Sequence, residues 1–248
     1  MNNRFKINFI KTVVSSNKFM TSLLLLIILN FFIVGKYAAN LEYITAFINI
    51  NNLFVYNTFL AIIILFTTLN TLKIFETYTN IIIRYTNKKM YIFELIKITL
   101  ILNLIIVLIS YMLLFTGLNF YANAPLIINN GKLGISNLIY ACYVFIKKII
   151  LFEILSIIFL LINKNFNKNI SLIISFVIIS MLLVATYNDI YINSFREFRF
   201  FLWDYFVYHR YASIALEISF FSIFACCNIL LLYLFTIITI KRIKNIGD

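Results

Sequence analysis

The chain has 248 residues, 63% of them hydrophobic and only 12% charged, with a formal net charge of +12. A soluble domain is roughly half apolar and a quarter charged, so this composition excludes a water-soluble globular protein and points to an integral membrane protein. The apolar runs are long, rich in Leu, Ile and Phe, and lack the alternation of outer-membrane strands, so the spans are expected to be helices. At roughly 20 residues per span, the length allows about six spanning helices in one membrane domain covering 1–248.

The chain opens with MNNRFKINFIKTVVSSNK, where Arg4, Lys6, Lys11 and Lys18 alternate with Phe5, Ile7, Phe9, Ile10 and Val13. Residues 1–18 therefore read as an interfacial helix. A cleaved signal peptide competes with this reading, but eighteen residues precede the apolar run and no small-x-small site follows it. The first span covers 19–37. A polar link with Glu42, Asn49, Asn51 and Asn52 leads to a second span, 53–72.

Residues 76–97, ETYTNIIIRYTNKKMYIFELIK, are a basic, amphipathic interruption. On a helix Ile82, Tyr85, Lys89 and Phe93 follow one stripe, with Glu94, Arg84 and Lys88 to its sides. Such a helix lies flat at a membrane surface or docks on a soluble partner. A third span follows at 98–118. Residues 119–137 hold the only proline, Pro125, with Gly131 and Gly134, and read as an irregular loop.

The fourth span, 138–162, carries Lys147, Lys148 and Glu153. A tight polar turn at 163–168 precedes the fifth span, 170–187. Residues 188–211 then crowd aromatic side chains, Phe198 and Trp203 among them, between Arg196, Arg199 and Arg210. The last span, 218–240, has Glu217 at its edge and ends in KRIKNIGD.

Cytoplasmic loops retain Lys and Arg. With the N-terminus inside, the inner segments hold fourteen of the 21 Lys and Arg, the outer segments five, and span four the remaining two. Both termini and residues 76–97 are therefore expected in the cytoplasm. The charge of +12 reflects this topology and attraction to anionic lipid heads, not nucleic acid.

This order of features resembles the permease subunit of ABC-2-type exporters: an amphipathic N-terminal helix, six spans with both ends inside, a basic helix between spans two and three, and an aromatic segment between spans five and six. In that family the loop after span two opens with an acidic residue, passes a Gly-Thr and a Ser-x-Pro-like turn to a basic residue, and closes with a Lys. Glu76, Thr86 with Lys88 or Lys89, and Lys97 match those places, while Asn80 and Asn87 stand near where the Gly and Pro are missing.

The resemblance implies a coupling helix at about 77–87, with Glu76, Ile82, Arg84, Tyr85, Lys88 and Lys89 meeting a separate ATPase subunit. It further implies two ATPase copies and a second permease copy, identical or related, in a bacterial cytoplasmic membrane. The five glycines, Gly35, Gly117, Gly131, Gly134 and Gly247, cannot be assembled into a phosphate-binding G-x-x-x-x-G-K-[ST] loop. ATP and Mg²⁺ would thus be bound by the partner, and this chain would be a transport subunit, not an enzyme. By the same resemblance, the aromatic segment would dip into the outer leaflet as an exit lip or gate. A plain interfacial anchor fits those residues equally.

Lys147 and Lys148 invite two readings, because an ammonium inside the bilayer costs a few kcal/mol and normally faces a bundle interior, a wet cavity or a partner. In one, they line a cargo path with Glu153 and Glu217. In the other, span four is interrupted and they snorkel to head groups, which is preferred because 149–162 is too short to span alone and adjacent lysines cannot share a face. Cys142, Cys226 and Cys227 lie in apolar runs without ligand spacing, and His209 is the only histidine. Three functions follow from these features. The first is an ATP-driven exporter subunit for a hydrophobic or amphipathic cargo, foremost a peptide such as an antimicrobial or toxin. The others are a stand-alone immunity protein that sequesters a toxic peptide, and a membrane enzyme relying on Glu153, Glu217 or His209.

Overall fold

The computed structural model describes residues 3–38, 46–47, 50, 53–77, 88–121, 137–191 and 214–242. Their regular secondary structure is entirely helical. Seven long helices occur among the described residues: α1 (Asn3–Val14), α2 (Asn17–Tyr37), α3 (Phe54–Thr77), α4 (Lys88–Tyr121), α5 (Asn137–Asn165), α6 (Lys168–Tyr191) and α7 (Ile214–Arg242). Four segments, Asn17–Lys36, Val55–Thr77, Lys89–Phe120 and Phe221–Arg242, are long and apolar enough to cross a bilayer, which makes this a helical membrane protein.

Helix ends are satisfied locally, as a low-dielectric solvent demands. Ser16 caps α2 by accepting from the Phe19 N–H. At the α5–α6 turn, the Ser171 hydroxyl lies 3.0–3.3 Å from the carbonyls of Ile162, Phe166 and Asn167. The Ile162 and Asn167 carbonyls already accept the backbone N–H groups of Phe166 and Ser171, so the single hydroxyl proton is available to the Phe166 carbonyl just past the end of α5.

The helices alternate in direction, and side-chain contacts fix the two ends of the bundle. At one end, called proximal here, Phe9 of α1 packs edge-on against Phe75 of α3 at 5.4 Å, and Asn165 of α5 donates to Thr239 of α7. At the other, distal end, Phe47 stacks on Phe115 of α4, and Tyr143 of α5 meets Phe221 of α7. α3 touches α2, α4, α5 and α6, and α5 touches α3, α4, α6 and α7, so α3, α4 and α5 form the centre. The apolar stretch of α3 is accordingly 67% buried and that of α7 only 22%. The outward faces of α2 and α7, with Phe31, Phe32, Leu230 and Leu231, are left for lipid.

α1 is amphipathic as its sequence suggested: Phe9 and Val13 are buried while Lys11 is exposed. Two expectations are corrected. Residues 88–97 do not form a separate surface helix; they are the first turns of α4, whose 34 residues extend about 51 Å. Tyr91, Ile92 and Leu95 bury the inner face of this extension, and Lys89 is exposed, so the buried stripe is not the one through Lys89 and Phe93. Nor is span four interrupted: α5 runs unbroken over 29 residues.

Candidate functional site

The proximal ends of α3, α4 and α5 are joined by three polar side chains. Lys164, near the end of α5, donates to Glu76 at the end of α3 at 2.5 Å and to the Tyr91 hydroxyl of α4 at 3.0 Å. Phe75 packs against the Tyr91 ring at 5.3 Å and against Phe9, so the polar clamp rests on an aromatic layer. Burial works to lower the Lys164 pKa, but Tyr91 and Glu76 beside it outweigh that effect and hold it above the ordinary lysine value. An ion pair with an exposed partner contributes little stability by itself. Its importance is geometric, since Glu76 and Tyr91 flank residues 78–87.

Separate hydrogen bonds join the helices farther into the bundle. Asn70 of α3 donates to Ser16 at 2.8 Å, and Asn103 of α4 donates to Thr68 of α3 at 3.1 Å. Farther along, the Ser110 hydroxyl of α4 receives a hydrogen bond from Asn30 of α2 at 3.3 Å and lies 2.7 Å from the Tyr56 hydroxyl of α3. In lipid there is no hydrophobic drive to pair helices, so such bonds, worth about 1 kcal/mol each, select which helices become neighbours. The carbonyl oxygens of Asn30 and Asn103 are buried without a hydrogen-bond partner, which leaves acceptors open within the seam.

Lys147 and Lys148 lie in the distal half and are 5% and 1% exposed, so neither snorkels out of the protein. The Lys148 amino group donates to the Asn57 side-chain oxygen of α3 at 3.1 Å. Lys147 instead sits 5.9 Å from the ring centroids of both Tyr143 and Phe221, within cation–π reach. Adjacent positions are 100° apart on a helix, and the pair thereby reaches two different neighbours, α3 and α7. Glu153 lies on a third side of α5. Both its carboxylate oxygens are buried without a hydrogen-bond partner, and Ser156 bonds its backbone carbonyl, not its side chain.

Of the residues expected to meet an ATPase, Glu76 is half exposed within the clamp, Lys89 is exposed, and Lys88 opens α4. Ile82, Arg84 and Tyr85 lie outside the described residues, as do Phe198 and Trp203 of the aromatic segment and His209. Glu217 falls in the first turn of α7. The three cysteines are free thiols, and no group of three or more His, Cys, Asp or Glu suited to a metal occurs among the described residues. Sequence reasoning missed Lys164, Tyr91 and Asn57. The usable signal for Asn57 was an amide in an apolar run, as for Asn30 and Asn103, because such a group must find a partner inside the bundle.

No protein-family model matches the chain, and no curated protein or solved structure shows a significant match to it.

Proposed function

We propose that this chain is the membrane-spanning subunit of an ATP-driven exporter. It moves a hydrophobic or amphipathic cargo, foremost a peptide, out of the cytoplasm or the inner leaflet. In this reading α2 to α7 are six spans, the proximal end faces the cytoplasm, and a second permease copy completes the path. Two copies of a separate ATPase subunit bind ATP and Mg²⁺.

The observation that carries this reading is the Glu76–Lys164–Tyr91 clamp at the root of residues 78–87. A docking segment that merely touched a partner would need no rigid base. Here both strands of its root are tied to α5, the helix that holds the buried lysines 147 and 148, so a displacement applied at 78–87 is delivered to α5. Buried ionisable groups in a membrane bundle suit a path for polar or charged parts of a cargo better than they suit a passive anchor.

The test is affinity capture of the full chain from its native membranes. A nucleotide-binding subunit is expected to co-purify, and Lys88→Glu with Lys89→Glu is expected to lose it while the chain still inserts. Capture of no such subunit, together with peptide resistance that persists when no ATPase is present, would replace the exporter with a stand-alone immunity protein.

A further inference from the structure

At the proximal end, α2, α3 and α6 enclose a cleft of about 910 Å³, which is at the upper end of small-ligand sites. Its lining is ordered by depth in the same way on all three helices. Lys18, Lys73 and Lys168 stand toward the proximal end. Farther into the bundle are Leu25 on α2, Phe66 on α3 and Leu172 on α6. At 1.5 Å per residue these apolar groups lie roughly 10, 10 and 6 Å deeper than the lysines of the same helices. Leu25 and Phe66 are 51% and 48% exposed, so the apolar floor is continuous with the lipid-facing surface.

The charge of the cleft is one-sided. Among the described residues Glu76 is its only carboxylate, and that group is engaged by Lys164 from outside the lining. Among the described residues Lys18, Lys73 and Lys168 form no ion pair with a carboxylate. α2 and α6 both begin at the cleft, which adds the positive ends of two helix dipoles to the three ammonium groups. A cationic rim over an apolar floor that opens sideways to the bilayer matches one chemistry: a phosphate head group above acyl chains.

We infer that this cleft is a binding site for an anionic phospholipid of the leaflet that meets the proximal end, with the phosphate held by Lys18, Lys73 and Lys168 and the upper acyl chains lying on Leu25, Phe66 and Leu172. The site does not require the exporter reading, since it would serve an immunity protein equally.

The test is native mass spectrometry of the detergent-solubilised full chain with added phosphatidylglycerol or phosphatidylcholine. Phosphatidylglycerol is expected to be retained preferentially. A lysine near the lipid surface contributes roughly a fivefold effect, so K18Q/K73Q/K168Q is expected to reduce retention to the phosphatidylcholine level. The equally decharged K11Q/K97Q/K241Q, whose exposed lysines lie off the cleft, is expected to retain the lipid. Equal losses in both triple variants would reduce the effect to general charge and overturn the site. Displacement of the lipid by inorganic phosphate, but not by chloride at the same ionic strength, would make free phosphate the ligand and overturn the lipid assignment. If the triple variant does not elute as a single species, K73Q alone decides the matter, with roughly a fivefold loss expected and an unchanged affinity counting against the site.

Discussion

Lys148 and Asn57 show how a buried lysine finds a partner on a helix distant in sequence. The two are 91 residues apart in sequence and meet at 3.1 Å across α5 and α3. Removing one partner of a buried polar pair costs more than removing both, because the survivor keeps its desolvation penalty. Asn57→Leu takes one acceptor from a lysine that is 1% exposed, and is expected to destabilise by roughly 3 kcal/mol. Lys148→Met leaves a neutral amide behind and is expected to cost about 1–3 kcal/mol. The double variant should recover most of the loss. Thermal unfolding of the three variants in detergent checks this order, and a double variant as unstable as Asn57→Leu would show that the two side chains are not coupled. Neighbouring Tyr56 turns the other way, to Ser110 of α4, so two successive residues of α3 select two different helices.

Among the elements, α2 and α4 meet where Gly117 faces Val34. A Cβ there would lie 3.2 and 3.3 Å from the two γ-carbons of Val34, a fully buried and β-branched side chain with little rotamer freedom. Alanine would gain up to about 1 kcal/mol of helix propensity over glycine, which offsets a contact needing only a few tenths of an ångström. Gly117→Ala is therefore expected within about 1 kcal/mol of the wild type, and Gly117→Leu about 1–3 kcal/mol less stable. Val34→Ala in the Gly117→Leu background should restore part of that loss, as read by thermal unfolding in detergent. The extension of α4 was also legible in part: Tyr91, Ile92 and Leu95 supply an apolar face at helical spacing. The charges of Lys88, Lys89, Glu94 and Lys97 gave it the look of a separate surface helix, because a helix emerging from lipid carries the same charges as one lying on the membrane.

For the whole molecule, the distribution of charge predicts a direction across the membrane. The described proximal end carries Arg4, Lys6, Lys11, Lys18, Lys73, Lys88, Lys89, Lys97, Lys164, Lys168, Lys241 and Arg242, and the distal end Lys36. Retention of Lys and Arg in the cytoplasm predicts a bundle with its proximal end inside. In a background with the three free cysteines replaced, Lys36→Cys is expected to react with a membrane-impermeant maleimide on intact cells. Lys89→Cys is expected to react only after permeabilisation. Labelling of Lys89→Cys from outside would invert the orientation and remove the cytosolic docking proposed for residues 76–97.

The sequence by itself determined the solvent, the helical class and the positions of most helices, because transfer free energy and backbone satisfaction in lipid add up locally along the chain. It also placed Lys147 and Lys148 inside an apolar run, but could not tell lipid head groups from protein partners. Only the tertiary structure decided that Lys148 meets Asn57, that Lys164 reaches back 88 residues to Glu76, and that three helices with basic ends surround one cleft. Each of these depends on the relative rotation and depth of helices distant in sequence. Such phases are set by packing and by a few buried amides and hydroxyls, and no local pattern of residues encodes them.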